Sequence, residues 1–278
     1  MRIHHLNCGC MCPLGGALFD GFSKGPFAEL VCHCLLLETD RHGLILVDTG
    51  LGTQDMRHPD RRLSGFFRAL NNICYNEQLS ALAQIQLLGF RPEDVRHIIL
   101  THLDFDHAGG ISDFPAARIH LLQRELDTVT QAGDSSWLAR QRFRPQQWTA
   151  HDGWRGYASG GERWYGFDAV KAVDDLSDEI LLVPLPGHTL GHAGVAIRHQ
   201  GGWLLHGGDA WFYRGEMYHS QRHCTPGLRA YQRLMCSDRA AWHSNQQRLR
   251  ELSLQHAQEV QLFCSHDAQE LNQFRRHG

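Results

Sequence analysis

The stretch Thr101-His102-Leu103-Asp104-Phe105-Asp106-His107-Ala108-Gly109-Gly110 places four metal-competent side chains within six residues. Imidazole nitrogen and carboxylate oxygen are the donors that divalent transition ions take from proteins. The interleaved Leu103 and Phe105 give the loop an apolar anchor, so that the four polar side chains turn to one point. Burying such carboxylates together with no cation would be very costly. Gly109 and Gly110 let the backbone turn sharply at the end of the motif.

The second half of the chain supplies further donors in a repeated arrangement. Each follows an apolar run: His188 and His192 in Pro186-Gly187-His188-Thr189-Leu190-Gly191-His192, Asp209 in Gly207-Gly208-Asp209, and His266 in Ser265-His266-Asp267. Asp48-Thr49-Gly50 likewise exposes a carboxylate at the end of a β-like run. Sheets that align these strand ends would gather the groups into one cleft.

These motifs resemble the metallo-β-lactamase superfamily, with its H-x-H-x-D-H, later G-H, bridging Asp and final His, over most of the chain from Asp48 to His266. Locally, Thr101 to Gly110 and Ser265-His266-Asp267 are most similar to N-acyl-homoserine lactonase-like members. The resemblance implies an α+β fold, a four-layer αββα sandwich. It also implies two divalent metal ions: one on His102, Asp104 and His192, the other on Asp106, His107 and His266, with Asp209 bridging. His188 and Asp48 would then brace the ligands from outside. Asp104 stands where the family usually has a second His. That leaves Zn as the first expectation, and admits Mn or Fe because a carboxylate is the harder donor. An acidic residue there is also similar to the Glu of iron-binding flavodiiron proteins.

Two such ions acidify a shared water, with a metal-bound hydroxide attacking a small lactone or ester. Asp106 would orient the water or accept its proton, and Tyr213 would donate a hydrogen bond to the developing oxyanion. The alternatives are an iron-bound redox protein acting on oxygen or sulfur species, and a non-catalytic ligand-sensing protein of the same fold. Flavodiiron proteins pair their metal domain with a flavin domain, and these 278 residues are not expected to hold one, which lowers the redox reading without excluding a partner. All seven ligand positions hold competent residues, which argues against decay.

The elements that must hold these residues can be read in outline. Val31 to Glu38, Leu44 to Val47, His97 to Leu100 and Arg118 to Leu122 read as strands, as do Ile180 to Val183, Val195 to Arg198, Trp203 to His206 and Val260 to Cys264. Glu77 to Leu88 has helical spacing, with Gly89 as its stop. Helices are also expected from Gln123 to about Gln131, through Leu228 to His256 with a break near Cys236-Ser237-Asp238, and from Ala268 to Phe274. Residues 1–278 form one expected domain, with insertions near 53–76 and 132–167. The second insertion is rich in aromatic residues, which either line a pocket or pin the loop to the body. Phe66 and Phe67 in the first offer a contact for a homodimer.

Composition bounds the partners. With 27 Lys and Arg against 30 Asp and Glu, the net charge of −3 gives no footprint for nucleic acid or an anionic membrane. A small-molecule substrate is expected instead. No signal-like start or membrane-length apolar run is visible, so the chain is expected in the cytoplasm. Its 9 Cys, an odd number, read as reduced thiols. Cys8, Cys10 and Cys12 alternate, as do Cys32 and Cys34; C-x-C is a poor match to structural zinc spacing, which favours buried core thiols.

Overall fold

Leu35, Leu36 and Leu37 are all completely buried, which a strand achieves only if both of its faces are covered. Leu35 and Leu37 face one core with Ile45, Val47 and Ile99, whereas Leu36 faces a second with Leu46, Ile98 and Ile119. This alternation is the signature of a sheet sandwiched between two layers. The computed structural model of the chain describes residues 1–130, 136–158, 160–173, 176 and 179–277.

The first sheet contains β1 (Arg2–Met11), β2 (Leu30–Thr39), β3 (Gly43–Val47), β4 (Ile73–Cys74), β5 (Val95–Ile99), β6 (Arg118–Leu122) and β7 (Trp154–Tyr157), in the order β4-β1-β2-β3-β5-β6-β7. The second contains β8 (Glu162–Trp164), β9 (Phe167–Ala172), β10 (Ile180–Pro184), β11 (Ala193–His199), β12 (Gly202–His206) and β13 (Val260–Phe263), in the order β13-β12-β11-β10-β9-β8. Between them lies the core of Leu35, Leu37, Val47, Leu182, Val195, Ile197 and Phe263. Outside the first sheet Ile85 of the helix Ala81–Leu87 packs on Leu36 and Ile98. Outside the second, Leu249 and Leu252 of the helix Arg239–Gln255 pack on Val183, Leu205 and Leu262. The layers are therefore αββα, as expected from the resemblance.

Strand direction decides where the chemistry goes. β3, β5 and β6 pair in parallel, and β12 pairs in parallel with β13. Two antiparallel steps separate β10 from β12, so those two also run the same way. The carboxyl ends of these strands thus gather on common edges. A hydrogen bond of 2.9 Å from the Ala193 amide to the Thr101 carbonyl joins the two sheets there.

The strand and helix expectations hold in order and to within a few residues, with two differences. Glu77 to Leu88 is not one helix: a 3-10 turn, Glu77–Leu79, precedes the helix Ala81–Leu87, because the Ser80 side chain caps the Ala83 amide and starts a new helix. The insertion at residues 53–76 carries three short helices, Thr53–Arg57, Pro59–Arg62 and Gly65–Asn71, ahead of β4. Phe67 is fully buried and packs on Phe105 with ring centroids 5.0 Å apart, so it serves the interior, whereas Phe66 is half-buried.

The aromatic stretch 132–167 begins at residues outside those described, 132–135. Beyond them Trp148, Tyr157, Trp164 and Phe167 enter three different cores. These rings pin the loop. Among the described residues no helix is long and apolar enough to cross a membrane.

Candidate metal centre

The turn after β3 sets the first half of the site. Asp48 accepts hydrogen bonds of 2.8 Å from the Thr101 amide, the Thr101 hydroxyl and His107 Nδ1. It adopts a left-handed φ of 54°, a conformation that Asp tolerates better than most residues. Burial works to raise its carboxyl, but the neighbouring His107 holds it down at about 2. Leu103 and Phe105 are buried as the sequence pattern required. Gly109 is obligatory for a steric reason, since a Cβ there would lie 2.2 Å from Asp55 Oδ2.

Each imidazole is aimed by the hydrogen bond its other nitrogen makes. His102 Nδ1 donates to the Thr101 hydroxyl (2.9 Å), His107 Nδ1 to Asp48, and His266 Nδ1 to the Val31 carbonyl (2.7 Å). Their Nε2 atoms converge on Asp209, which follows β12. Asp209 Oδ1 lies 3.1 Å from His266 Nε2 and 3.3 Å from His107 Nε2. Asp209 Oδ2 lies 3.2 Å from His188 Nε2 and 3.8 Å from His102 Nε2. Asp106 Oδ2 is 3.7 Å from His266 Nε2. One carboxylate therefore stands between two groups of donors.

His102, Asp104, His188 and Asp209 offer atoms all within 4.8 Å of one another, as do His107, Asp209 and His266. Cys32, Asp106 and His266 meet the same limit, so one of the core thiols packs against the site. His102 Nε2, His107 Nε2 and Asp209 Oδ1 are buried and have no hydrogen-bond partner. Each such orphan costs about 1–3 kcal/mol if left unmatched. Bare imidazole lone pairs beside a bare carboxylate oxygen are what divalent cations satisfy, and the residues fit such ions.

The charges lean the same way. Although burial opposes it, Asp209 and Asp48 raise His107 well above the ordinary imidazole value. His266, His107 and His188 hold Asp209 well below the carboxylate range against the same burial. Burial raises Asp106. His102 and His188 lean the other way: burial and the neighbouring His107 lower His102 to about 4, and burial and Arg142 lower His188.

Six of the seven ligand positions expected from the sequence come together, and the seventh does not. His192 Nδ1 donates to the Leu185 carbonyl (3.1 Å), and His192 Nε2 accepts from the Asp209 amide (2.9 Å). Both its nitrogens are thereby consumed. His188, expected to brace from outside, reaches the cluster instead. The reason is the turn between them: His192 faces the β12 loop and fixes the Asp209 backbone, while His188 points into the cleft. Gly208 permits this, having φ of 56° and a position where a Cβ would lie 2.6 Å from His192 Nε2.

Tyr213 also departs from its expected place. Its ring lies under the Arg214 guanidinium, and its hydroxyl packs over Gly21, where a Cβ would sit 2.6 Å away. Phe212 takes the position facing the cluster, 4.8 Å from the His266 ring. Tyr231 from the helix Pro226–Met235 packs against Phe212, with ring centroids 5.8 Å apart. Burial and then the nearby Asp106 keep that phenol protonated, with its pKa well above the ordinary value. Sequence reading missed Tyr231, because nothing in a helical stripe separates a core tyrosine from one that borders a site.

It also missed Arg142, the last residue of the helix Trp137–Arg142. This fully buried guanidinium grips Asp104 through both oxygens, Nε to Oδ1 at 2.7 Å and Nη2 to Oδ2 at 2.5 Å. It also contacts His188 Nε2 (2.7 Å) and the Met235 carbonyl (2.7 Å). Burial notwithstanding, Arg142 holds Asp104 well below the usual range, fully ionised.

Glu125 ties the two ligand loops together. It accepts from the Leu103 amide (3.0 Å), the Thr189 hydroxyl (2.7 Å) and the Gly191 amide (3.1 Å). Replacing it with Ala orphans three buried donors and is expected to cost about 3 kcal/mol of stability, read as a lower urea midpoint. Burial pushes its carboxyl from 4.5 up to about 7 despite those donors. The folded chain thus holds a proton that the unfolded chain has released, so the contribution is full below 4.5 and lost as pH rises through 7. The parent's advantage over Glu125→Gln should shrink by about 2 kcal/mol between about pH 5 and pH 8. Asp48→Asn, which removes one charge behind His107, is expected to weaken metal binding by about 10–100-fold in chelator competition.

Comparison with known proteins agrees with this architecture. Residues 28–250 match the family model of the metallo-beta-lactamase superfamily. A protein of Mycobacterium tuberculosis named as a probable metallo-hydrolase is 40% identical over 268 residues, covering 96% of this chain and 80% of the relative. Among solved structures, an N-acyl homoserine lactone hydrolase with the product N-hexanoyl-L-homoserine at its catalytic metal centre superposes with a TM-score of 0.69 at 21% identity, over 98% of this chain and 95% of that one. A dizinc quorum-quenching lactonase in complex with a product superposes at 0.64 and 18% identity, over 95% and 86%.

Proposed function

The chain belongs to the metallo-β-lactamase superfamily and is a metal-dependent hydrolase, and from that premise we propose that it hydrolyses a small lactone or ester at a centre of two divalent ions. The observation that carries this reading is the convergence of the partnerless His102 Nε2, His107 Nε2 and Asp209 Oδ1. His102, Asp104 and His188 would hold one ion, and Asp106, His107 and His266 the other, with Asp209 shared between them. Zn is the first assignment for this nitrogen and oxygen set, and the dizinc lactonase of similar fold supports it. Three carboxylates in the set also accommodate Mn or Fe. When bound, such ions polarise a carbonyl oxygen and make water acidic enough to be a nucleophile near neutral pH.

The remaining work falls to the chain's own groups. Asp106, within 3.7 Å of His266 Nε2, is the proton acceptor: it takes the proton of the attacking water and returns it to the leaving alkoxide as the acyl C–O bond breaks. Phe212 walls the cleft with an apolar face suited to the hydrocarbon part of the substrate. Tyr231, protonated and beside the carboxylates, takes the oxyanion-donor role expected of Tyr213. Tyr231→Phe should lower kcat about a hundredfold while KM and zinc content stay unchanged.

The reading is tested with a panel of N-acyl homoserine lactones, simple γ-lactones, aryl esters and phosphotriesters, before and after chelation. Lactone or ester opening, followed by proton release, should disappear with chelator and return with added Zn2+. A chain holding two ions that turns over nothing on the panel would refute it.

A further inference from the structure

Asp104 Oδ2 is shared three ways: Arg142 Nη2 at 2.5 Å, His188 Nε2 at 2.9 Å and His102 Nε2 at 3.3 Å. A carboxylate placed to hold an ion is therefore already held by a permanent cation. Neither member is more than 2% exposed, so solvent screens little of what passes between them. Arg142 is fixed from every side, its Nη1 donating to Met235 O at the carboxyl end of the helix Pro226–Met235. That end carries partial negative charge, which favours a cation.

We propose that Arg142 is a positioning residue of the metal centre. It neutralises Asp104, so that the Asp104–Arg142 pair enters the ligand set as one uncharged unit and sets how tightly the first ion is held. The proposal rests on the two-ion reading above. Its logic is a count of charge. Asp104, Asp106 and Asp209 bring three negative charges to the cluster, and Arg142 brings the one permanent positive charge that touches it among the described residues. A guanidinium so close to a divalent ion repels it, and only the intervening carboxylate offsets that repulsion. Taking away the carboxylate alone leaves a buried cation facing the ion. Taking away both leaves the balance where it was.

The experiment exploits this coupling. The full chain and its variants are loaded with Zn2+, desalted, and assayed for zinc per chain and for affinity against a chromophoric chelator. Asp104→His, which supplies a neutral nitrogen donor but strands Arg142, should weaken the first ion at least about a hundredfold and leave one zinc per chain. Asp104→His with Arg142→Leu should bring back two. Arg142→Leu alone frees the whole charge of Asp104 and should tighten the first ion about tenfold.

Melting curves of the same proteins report whether Arg142 merely ties loops together, which would lower stability without separating one ion from the other. Asp104→His binding two ions as tightly as the parent overturns the proposal. So does a folded Arg142→Leu chain that binds the first ion more weakly. A parent chain that binds fewer than two ions overturns the two-ion reading itself, and this inference with it.

Discussion

Asp209→Ala is expected to lower kcat/KM by at least about a thousandfold and to leave the purified chain with little bound zinc. The size follows from what the carboxylate touches. Oδ1 serves His107 and His266, at 3.3 and 3.1 Å, and Oδ2 serves His188, at 3.2 Å, with His102 at 3.8 Å. One residue therefore belongs to both groups of donors, and in the proposed two-ion centre its removal would leave the ions with no anion between them. A thousandfold is about 4 kcal/mol of transition-state stabilisation, within what a group acting as part of a catalytic unit contributes. Asp209→Asn keeps the volume and loses the charge, so it should lose nearly as much. The readouts are steady-state kinetics on a substrate identified from the panel and metal analysis. Full activity in either variant would end the assignment of Asp209 as the shared ligand.

His188→Ala is expected to cost about a hundredfold or more in kcat and to remove the first ion, whereas His192→Ala should keep both ions and lose stability. The two residues are four apart and chemically identical, so this contrast isolates geometry. His188 Nε2 stands 2.9 Å from Asp104 Oδ2 and 3.2 Å from Asp209 Oδ2. His192 spends both nitrogens on the main chain, at Leu185 and Asp209. Its loss orphans a buried amide, a penalty of about 1–3 kcal/mol that a urea titration will register. Zinc per chain separates the outcomes: about one for His188→Ala and about two for His192→Ala. The opposite pattern would return His192 to the ligand set.

How much of this was legible in the sequence depends on the distance over which each choice is made. The Thr101 to Gly110 motif was readable because its ligands, anchors and turn glycines lie in one local pattern. Asp48 was readable for the same reason, as a turn carboxylate at a strand's end. The order of layers was implied by the family resemblance, and the burial of Leu35, Leu36 and Leu37 on both faces of one strand agrees with it.

The choice between His188 and His192 is decided by which nitrogen meets a main-chain partner, and no spacing rule encodes that. Which ring meets the cluster turned on a single residue of register in a loop without periodicity, which puts Phe212 and not Tyr213 against His266. Arg142 lies 38 residues from Asp104, in an aromatic-rich insertion without periodicity. The three helices within residues 53–76 escaped because helices of 5, 4 and 7 residues are too short to show a stripe.

The most direct test of the account is anomalous X-ray diffraction from crystals of the zinc-loaded chain, with data on both sides of the zinc absorption edge. Two anomalous peaks are expected: one bounded by His102, Asp104, His188 and Asp209, the other by Asp106, His107, His266 and Asp209. A single peak, a peak seated on His192, or no peak in this cleft would contradict it.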